Sequence, residues 1–197
     1  MQQDDDWDLF NQEMGDIKPL KQDKVLVNTS NKKALDPQAM AEHLYKLKQQ
    51  QKIEQLGLTT GYVEPIDPYD PLDYKKDGVQ DGVYKNLRQA KYSVTNRLDL
   101  RQLSVEQARV VLFEFIQQSQ NDNHRCLLIQ HGLGLNNQPH PAVIKSYLNN
   151  WLECFEQVLA YHSAPKNLGG LSATLVLLKK SDEKKRETKE HIQKRLG

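Results

Sequence analysis

Two short stretches decide the fold of this chain: RLDLR at residues 97–101 and LLIQHGLG at residues 127–134. Each is typical of an apolar strand that delivers polar side chains to its carboxyl end, and the residues between them have the spacing of a helix. In an open α/β sheet, ligands bind at the carboxyl ends of the strands. We therefore expect Asp99, Arg101 and His131 to converge with a Gly-x-Gly loop on one crevice, where they would suit a phosphate or a phosphodiester.

The surrounding sequence predicts a compact α/β unit with the order βαβαββ. The predicted strands cover residues 94–100, 125–130, 157–162 and 173–178. One predicted helix starts at Ser104, which forms a capping box with Gln107, and the other runs from about 141 to 155. The last two strands are joined by a tight turn, so we expect them to pair antiparallel, whereas the earlier connections are helical crossovers.

The first half of the chain lacks a continuous periodic core, and we interpret residues 1–92 as an N-terminal arm that is largely irregular and helical. Short helices are predicted over 5–14 and 82–91, and a longer one from Asp36-Pro37 to Leu56 with Gly57 as a left-handed cap. The Pro- and Asp-rich residues 57–82 read as a linker or an adhering arm. Such a segment gains order by wrapping its own domain or a second subunit, so a homodimer through the arm is one expectation.

The charge and hydropathy of the chain indicate where the protein is located and what kind of partner it binds. The net charge of +1 combines an acidic start with a basic tail, residues 181–197, that holds six Lys and Arg residues. The tail either recruits a polyanion such as DNA or RNA, or is a solvated helical end. No apolar run approaches the roughly 20 residues that span a bilayer, and no signal core starts the chain. We expect a cytoplasmic protein that does not bind membranes.

Three motifs occur in a fixed order on the predicted elements: LDLR at 98–101, HGLG at 131–134 and GGLSAT at 169–174. Together they resemble the Smr (small MutS-related) domain family, with the match covering roughly residues 93–180. The segment MGDIKPL at 14–20 is similar to the N-terminal extension of stand-alone bacterial Smr endonucleases. The resemblance implies a sandwich like the C-terminal domain of translation initiation factor three. It also implies nicking or cleavage of nucleic acid in several members, and binding without cleavage in others.

The chain departs from the family pattern at two positions. Many relatives carry a Lys between the two glycines of the His-Gly-x-Gly loop, where this chain has Leu133, so a cation that faces the phosphate is missing. The usual third glycine of the Gly-Gly-x-Gly turn is Ser172. A positive φ would cost Ser more than Gly, but its hydroxyl could donate a hydrogen bond to a phosphate.

The resemblance favours catalytic roles for three residues. Asp99 would be a general base or a metal-binding carboxylate, and Arg101 the phosphate clamp, because its planar fork binds two phosphate oxygens. The alternative is an Asp–Arg pair that neutralises itself. His131 would be the general acid for the leaving oxygen or a charged donor to the phosphate, and the alternative is a structural histidine. Lys145, one turn into the second helix, would reach a backbone phosphate unless it lies on a solvated face.

These considerations predict a DNA-nicking endonuclease with little sequence specificity. The alternatives are a DNA- or RNA-binding module without catalysis, which Leu133 favours, and an accessory subunit whose acidic arm docks a partner protein. No dense carboxylate cluster is present, so Mg²⁺ or Mn²⁺, if used, would be held weakly through water and phosphate. The predicted nucleic-acid contacts are Arg97, Gly132, Gly134, His140, Lys145, Gly169, Gly170 and Ser172.

Overall fold

The computed structural model describes residues 37–180, with Pro37 described for its backbone alone. By internal contacts the chain divides into two units, residues 1–41 and 42–197. The helices and strands of the described residues are, in chain order, α1 (Pro37–Gln55), β1 (Asp73–Lys75), α2 (Asp81–Arg88), β2 (Asn96–Asp99), α3 (Val105–Asn121), β3 (Cys126–Gln130), α4 (Val143–Cys154), β4 (Val158–Ser163), and β5 (Ala173–Leu178). Within residues 37–180, no helix is long and apolar enough to cross a membrane.

The strands form one mixed sheet in the order β1-β4-β5-β3-β2. Strands β2 and β3 are parallel, and β5 lies between β3 and β4, antiparallel to both. The predicted α/β class and the antiparallel last pair are therefore confirmed, whereas the likeness to the initiation-factor domain stays a prediction. Since β3 and β4 run the same way, the carboxyl ends of β2, β3 and β4 all reach one edge of the sheet.

Strand β1 was missed by the sequence reading, which placed its residues in the linker. It pairs antiparallel with β4, with Tyr74 opposite Tyr161, and the two rings stack with centroids 5.0 Å apart. Its three residues, between prolines and a glycine turn, are too few to show an alternating pattern. These three residues form a strand because they pair with the edge of β4, whose backbone groups need hydrogen-bond partners. The boundary predicted at residues 92 and 93 stays a prediction, but the sheet draws one strand from before it.

The two faces of the sheet are covered unequally. Helices α1, α3 and α4 cover one face, around a core that includes Phe113, Trp151 and Tyr161. Helix α2 covers part of the other face through Leu87, which is fully buried against residues of β3, β4 and β5. The rest of that face, next to β2, carries the exposed side chains of Arg97 and Asp99.

Residues 57–76 adhere to their own domain, one of the two arrangements predicted for the arm. Gly57 ends α1 with φ +74°, the left-handed cap predicted for it, and Leu58 and Leu72 enter the core. The Trp151 indole donates to the carbonyl of Thr59 at 2.7 Å. The helix predicted over residues 5–14 and the basic tail lie outside the described residues, and dimerisation stays a prediction.

Candidate active site at the sheet edge

An open crevice of about 450 Å³ lies at the carboxyl edge of the sheet, between the loops that follow β2 and β3. Arg101, His131 and the glycine loop meet there, whereas Asp99 is not among the residues that line it. Its walls are Arg101, Gln102, Leu103 and Ser104 from the first loop, His131, Gly132, Gly134 and Asn137 from the second, and Ile144 of α4. The capping box of Ser104 and Gln107 fixes the start of α3 and thereby the first wall.

Asp99 does not line the crevice itself, but it forms a bidentate ion pair with Arg101, which does. The Arg101 Nε lies 2.9 Å from Asp99 Oδ1, and Nη2 lies 2.5 Å from Oδ2. The Arg101 backbone amide also donates to Oδ1 at 3.0 Å. These hydrogen bonds from Arg101 lower the pKa of Asp99, so the carboxylate is ionised at neutral pH. Both side chains remain about half exposed, at 48% for Asp99 and 58% for Arg101.

Glycines bring the two loops together. Gly132 has φ +75°, and a Cβ there would lie 3.5 Å from Cγ of Arg101, so the arginine stem rests on the bare backbone. At Gly134, with φ +59°, a Cβ would lie 3.2 Å from backbone atoms of Ala142. The Gly134 carbonyl accepts the amide of Ala142 at 3.0 Å, which joins the loop to the start of α4. Both predicted glycines therefore have structural roles at the site.

His131 lies beside the crevice but is only 4% exposed. Its Nδ1 is 2.8 Å from the carbonyl of Gly132 and its Nε2 is 3.0 Å from the Thr174 hydroxyl. A carbonyl only accepts, so Nδ1 carries the proton and, in the neutral ring, Nε2 accepts from Thr174. Burial lowers the pKa of His131 to about 4. At neutral pH the ring is therefore uncharged, and this geometry does not favour the predicted general-acid role.

The turn that contains Gly169 and Gly170 is hydrogen-bonded to the loop that begins at His131. The carbonyl of Ser172 accepts the amides of His131 and Gly132, at 3.1 and 2.9 Å. Those two amides are therefore unavailable to an anion. The Ser172 hydroxyl donates to the carbonyl of Gly169 at 2.6 Å, and its hydrogen bond to a phosphate stays a prediction. Its φ is not positive, and it replaces glycine without that strain.

Lys145 does not reach the crevice, and the prediction that it binds a phosphate is wrong. Its side chain is fully buried, and Nζ donates to the carbonyls of Asp67, Pro68 and Asp70 at 3.1, 2.8 and 2.5 Å. The predicted alternative of a solvated face is wrong as well. Three carbonyls replace the water that the ammonium loses on burial, so Lys145 anchors the arm to α4.

Two other predicted contacts lie outside the crevice wall. Arg97 is exposed on β2, and its side chain shares a face of the sheet with Asp99 because residues two apart along a strand point the same way. His140 is half-buried, and its Nδ1 lies 2.8 Å from the carbonyl of Pro141. Both stay predictions as nucleic-acid contacts.

Sequence reasoning missed two residues that shape the site. Thr174 holds the Nε2 side of the His131 ring from the neighbouring antiparallel strand, where it pairs with Ile129. Asn137 lines the crevice, and its side chain lies against Gly134. The alternation of β5 could have placed Thr174 on the inner face, since a hydroxyl in a buried run needs a partner. Asn137 lies in an irregular loop whose course no pattern predicts.

The donor set does not build a protein-held divalent metal site. Among residues 37–180, no group of three His, Cys, Asp or Glu side chains lies close enough to hold an ion. The carboxylate of Asp99 already accepts hydrogen bonds from Arg101, so an ion would have to compete with a guanidinium for it. Weak binding of Mg²⁺ or Mn²⁺ through water and phosphate stays a prediction.

Residues 98–179 match the family model of the Smr domain. The chain is 34% identical to the "Probable DNA endonuclease SmrA" of Escherichia coli (strain K12), with 97% of both chains covered. It is 30% identical to the "Ribosome rescue factor SmrB" of Yersinia enterocolitica, over 88% of this chain and 93% of that one. The crystal structure of YdaL, a stand-alone small MutS-related protein from Escherichia coli, has a TM-score of 0.58 and 38% identity. That match covers 64% of this chain and 95% of YdaL.

Proposed function

The chain belongs to the Smr domain family, and we propose that it is an endonuclease that cleaves phosphodiester bonds of DNA in the crevice, with little sequence preference. The observation that carries this proposal is the half-exposed Asp99–Arg101 pair, which places a carboxylate beside a guanidinium that lines the crevice. A relative that shares 34% of its residues across nearly the whole chain is named a probable DNA endonuclease, which supports DNA as the substrate.

Arg101 has the geometry to bind a phosphate. Its Nε and Nη2 face Asp99, while Nη1 has no hydrogen-bond partner among the described residues. In the part of the chain that the structure describes, the amides of Leu133 and Gly134 also lack partners. A phosphate in the crevice would then meet one guanidinium nitrogen and the backbone of the glycine loop. Contacts of this kind read the backbone and not the bases, which accounts for the weak sequence preference.

Asp99 would act as the general base. When a phosphate draws the guanidinium away, Asp99 loses its strongest hydrogen bonds and its pKa rises towards the ordinary value. The freed carboxylate takes a proton from water, the water oxygen bonds to phosphorus, and the bond to one ester oxygen breaks. That oxygen takes its proton from solvent. His131 would hold the glycine loop in place through the Gly132 carbonyl and Thr174.

A second function, binding without cleavage, is favoured by a specific observation. Asp99 is fully paired with Arg101, and both ring nitrogens of His131 are hydrogen-bonded, so neither Asp99 nor His131 stands ready as an acid or base. The match to a relative named a ribosome rescue factor makes RNA the natural ligand for this alternative.

One assay separates the two functions. Purified protein is incubated with supercoiled plasmid and, separately, with a structured RNA, each with EDTA, Mg²⁺ or Mn²⁺. We expect nicking of the plasmid, and a rate reduced roughly 10²- to 10⁴-fold in Asp99→Asn, the usual contribution of a positioned base. Asp99→Asn keeps the shape of the side chain but cannot take the proton, so its binding affinity should stay near that of the wild type.

Arg97→Ala is the matched control, because Arg97 is an exposed cation on the same strand but outside the crevice. It should weaken binding without changing the rate at saturating plasmid. Nicking by Asp99→Asn at the wild-type rate would exclude Asp99 as the base. Binding of plasmid or RNA with no cleavage under any of the metal conditions would favour the binding module.

A further inference from the structure

A second cleft, of about 650 Å³, lies on the other face of the sheet from the α3–α4 layer, between helix α2 and the end of β4. Its walls include Tyr84, Lys85, Arg88 and His162. Neither the crevice nor the chemistry proposed for it uses these residues.

The acidic residues near this cleft already have partners. Asp81 binds Lys75, with 2.5 Å between Nζ and Oδ1. Asp73 accepts a hydrogen bond from the Tyr84 hydroxyl, and its other oxygen lies 4.0 Å from Nε2 of His162. The charge of Asp81 is therefore balanced by Lys75, and the Asp73 carboxylate is hydrogen-bonded within the fold.

The cations of the cleft are in the opposite situation. Lys85 and Arg88 are both exposed and lie one turn apart on α2, and within residues 37–180 neither has an acidic partner in an ion pair. Leu87 between them is fully buried, which fixes the orientation of the helix on the sheet. The two charges are thus held on a rigid element and lack a counterion.

The register of the sheet relates this cleft to the crevice. His162 pairs with Leu175, Leu175 with Leu128, and Leu128 with Arg97, so the four residues form one row across four strands. Paired residues point to the same face, and three strand spacings separate the ends of the row by about 14 Å. Arg97 and the cleft therefore lie on one face of the sheet. Arg97 is two residues away from Asp99 along β2.

One more cation, Lys166, lies near the carboxyl end of β4. Lys166 follows the end of β4 at the same edge of the sheet as the crevice, and it is exposed. The turn that carries it is anchored by Leu168, which packs in the same apolar cluster as Leu87. Exposed cations therefore lie on β2, after β4 and on α2. They are Arg97, Lys166, Lys85 and Arg88.

We propose that the α2 cleft is a second phosphate-binding surface, which holds the backbone of the nucleic-acid strand whose scissile phosphate lies in the crevice. This inference rests on the proposed function, because it takes the crevice as the other contact. Lys85 and Arg88 each bind one phosphate by charge. At about 3.4 Å of rise per nucleotide, the roughly 14 Å between the strand positions of Arg97 and His162 corresponds to about four nucleotides. The surface extends the footprint and adds affinity, and it takes no part in the chemistry.

The test compares the double variant Lys85→Ala/Arg88→Ala with the wild type. Binding of a fluorescent single-stranded DNA of about 12 nucleotides is titrated between about 50 and 200 mM salt. Two lost phosphate contacts should reduce the slope of log affinity against log salt by about 1.4, since each contact on a single strand contributes about 0.7. Affinity at the low-salt end should fall about tenfold, and the nicking rate at saturating plasmid should stay unchanged.

Lys46→Ala/Lys48→Ala is the matched control, since it removes two exposed lysines from α1, on the opposite face of the sheet. An unchanged salt slope in the α2 variant, or an equal loss in the control, would overturn the inference. If Arg101→Ala abolishes binding while the α2 variant binds normally, the proposed function survives and the inference fails. If the α2 variant shows the expected loss but the wild type never cleaves, the second surface stands and the endonuclease proposal fails. Absence of binding by the wild type would overturn both.

Discussion

The sequence predicts a phosphate contact for both Arg101 and Lys145, but the fold exposes the first and buries the second. Arg101 is more than half exposed and lies at the mouth of the crevice, where one carboxylate holds it. Lys145 is fully buried and donates to three backbone carbonyls of the arm. The difference teaches that the charge of a side chain does not by itself decide whether it contacts a ligand or the protein. What decides it is whether another segment covers the side chain.

The covering segment also explains how a polar arm can be ordered. Residues 57–76 receive hydrogen bonds on their carbonyls from Lys145, Trp151 and Tyr147. Ser146 accepts the amide of Ile66 at 3.0 Å. Helix α4 thus supplies the polar partners that the arm cannot make for itself, which offsets part of its ordering cost. The sheet edge is built differently, by glycine loops that approach each other closely.

The largest effect should come from removing the buried cation. Lys145→Met leaves three buried carbonyls without their donor, and we expect a loss of about 2–4 kcal/mol in the free energy of unfolding. Chemical denaturation measures it, and Lys48→Met, at an exposed position of α1, is the control that should change little. DNA binding by the folded variant should keep the wild-type salt slope. A reduced slope would mean that Lys145 reaches a phosphate after all.

His131 gives the next effect, which depends on pH. Burial lowers its pKa from 6.5 to about 4 in the folded protein, so the unfolded chain takes up a proton first as the pH falls. The stability this confers is complete above about pH 6.5 and is lost as the pH falls towards 4. Between about pH 7.5 and 5 the loss should be about 2 kcal/mol. His131→Gln should lack this component, which denaturation at the two pH values would show. Equal pH dependence in both proteins would mean that His131 is charged or exposed.

The strengths and limits of sequence reasoning follow the same division. Periodicity placed β5 within its observed bounds and found the capping box of α3, because both depend on local patterns that the sequence carries. It also brought Asp99, Arg101 and His131 to one edge, since parallel strands must end together. It failed for Lys145 and Thr174, whose roles depend on partners 75 or more and 43 residues away. Hydrogen bonds between distant segments produce no periodic pattern in the local sequence. A buried lysine and an exposed lysine therefore cannot be told apart from the sequence around them.

Arg101→Ala should have the smallest effect on stability and sharpens the comparison most. Its ion pair with Asp99 is exposed on both sides, and such pairs contribute little to folding because water screens them. The midpoint of thermal unfolding should therefore stay within the error of the measurement at neutral pH. Binding of the same short DNA should nevertheless weaken, with the salt slope reduced by about 0.7 for the one lost phosphate contact. Lys145→Met should show the reverse pattern, unstable but binding normally. If Arg101→Ala instead unfolds much earlier while its binding is unchanged, the Asp99–Arg101 pair is a structural clasp at the end of β2, and the phosphate must be held elsewhere.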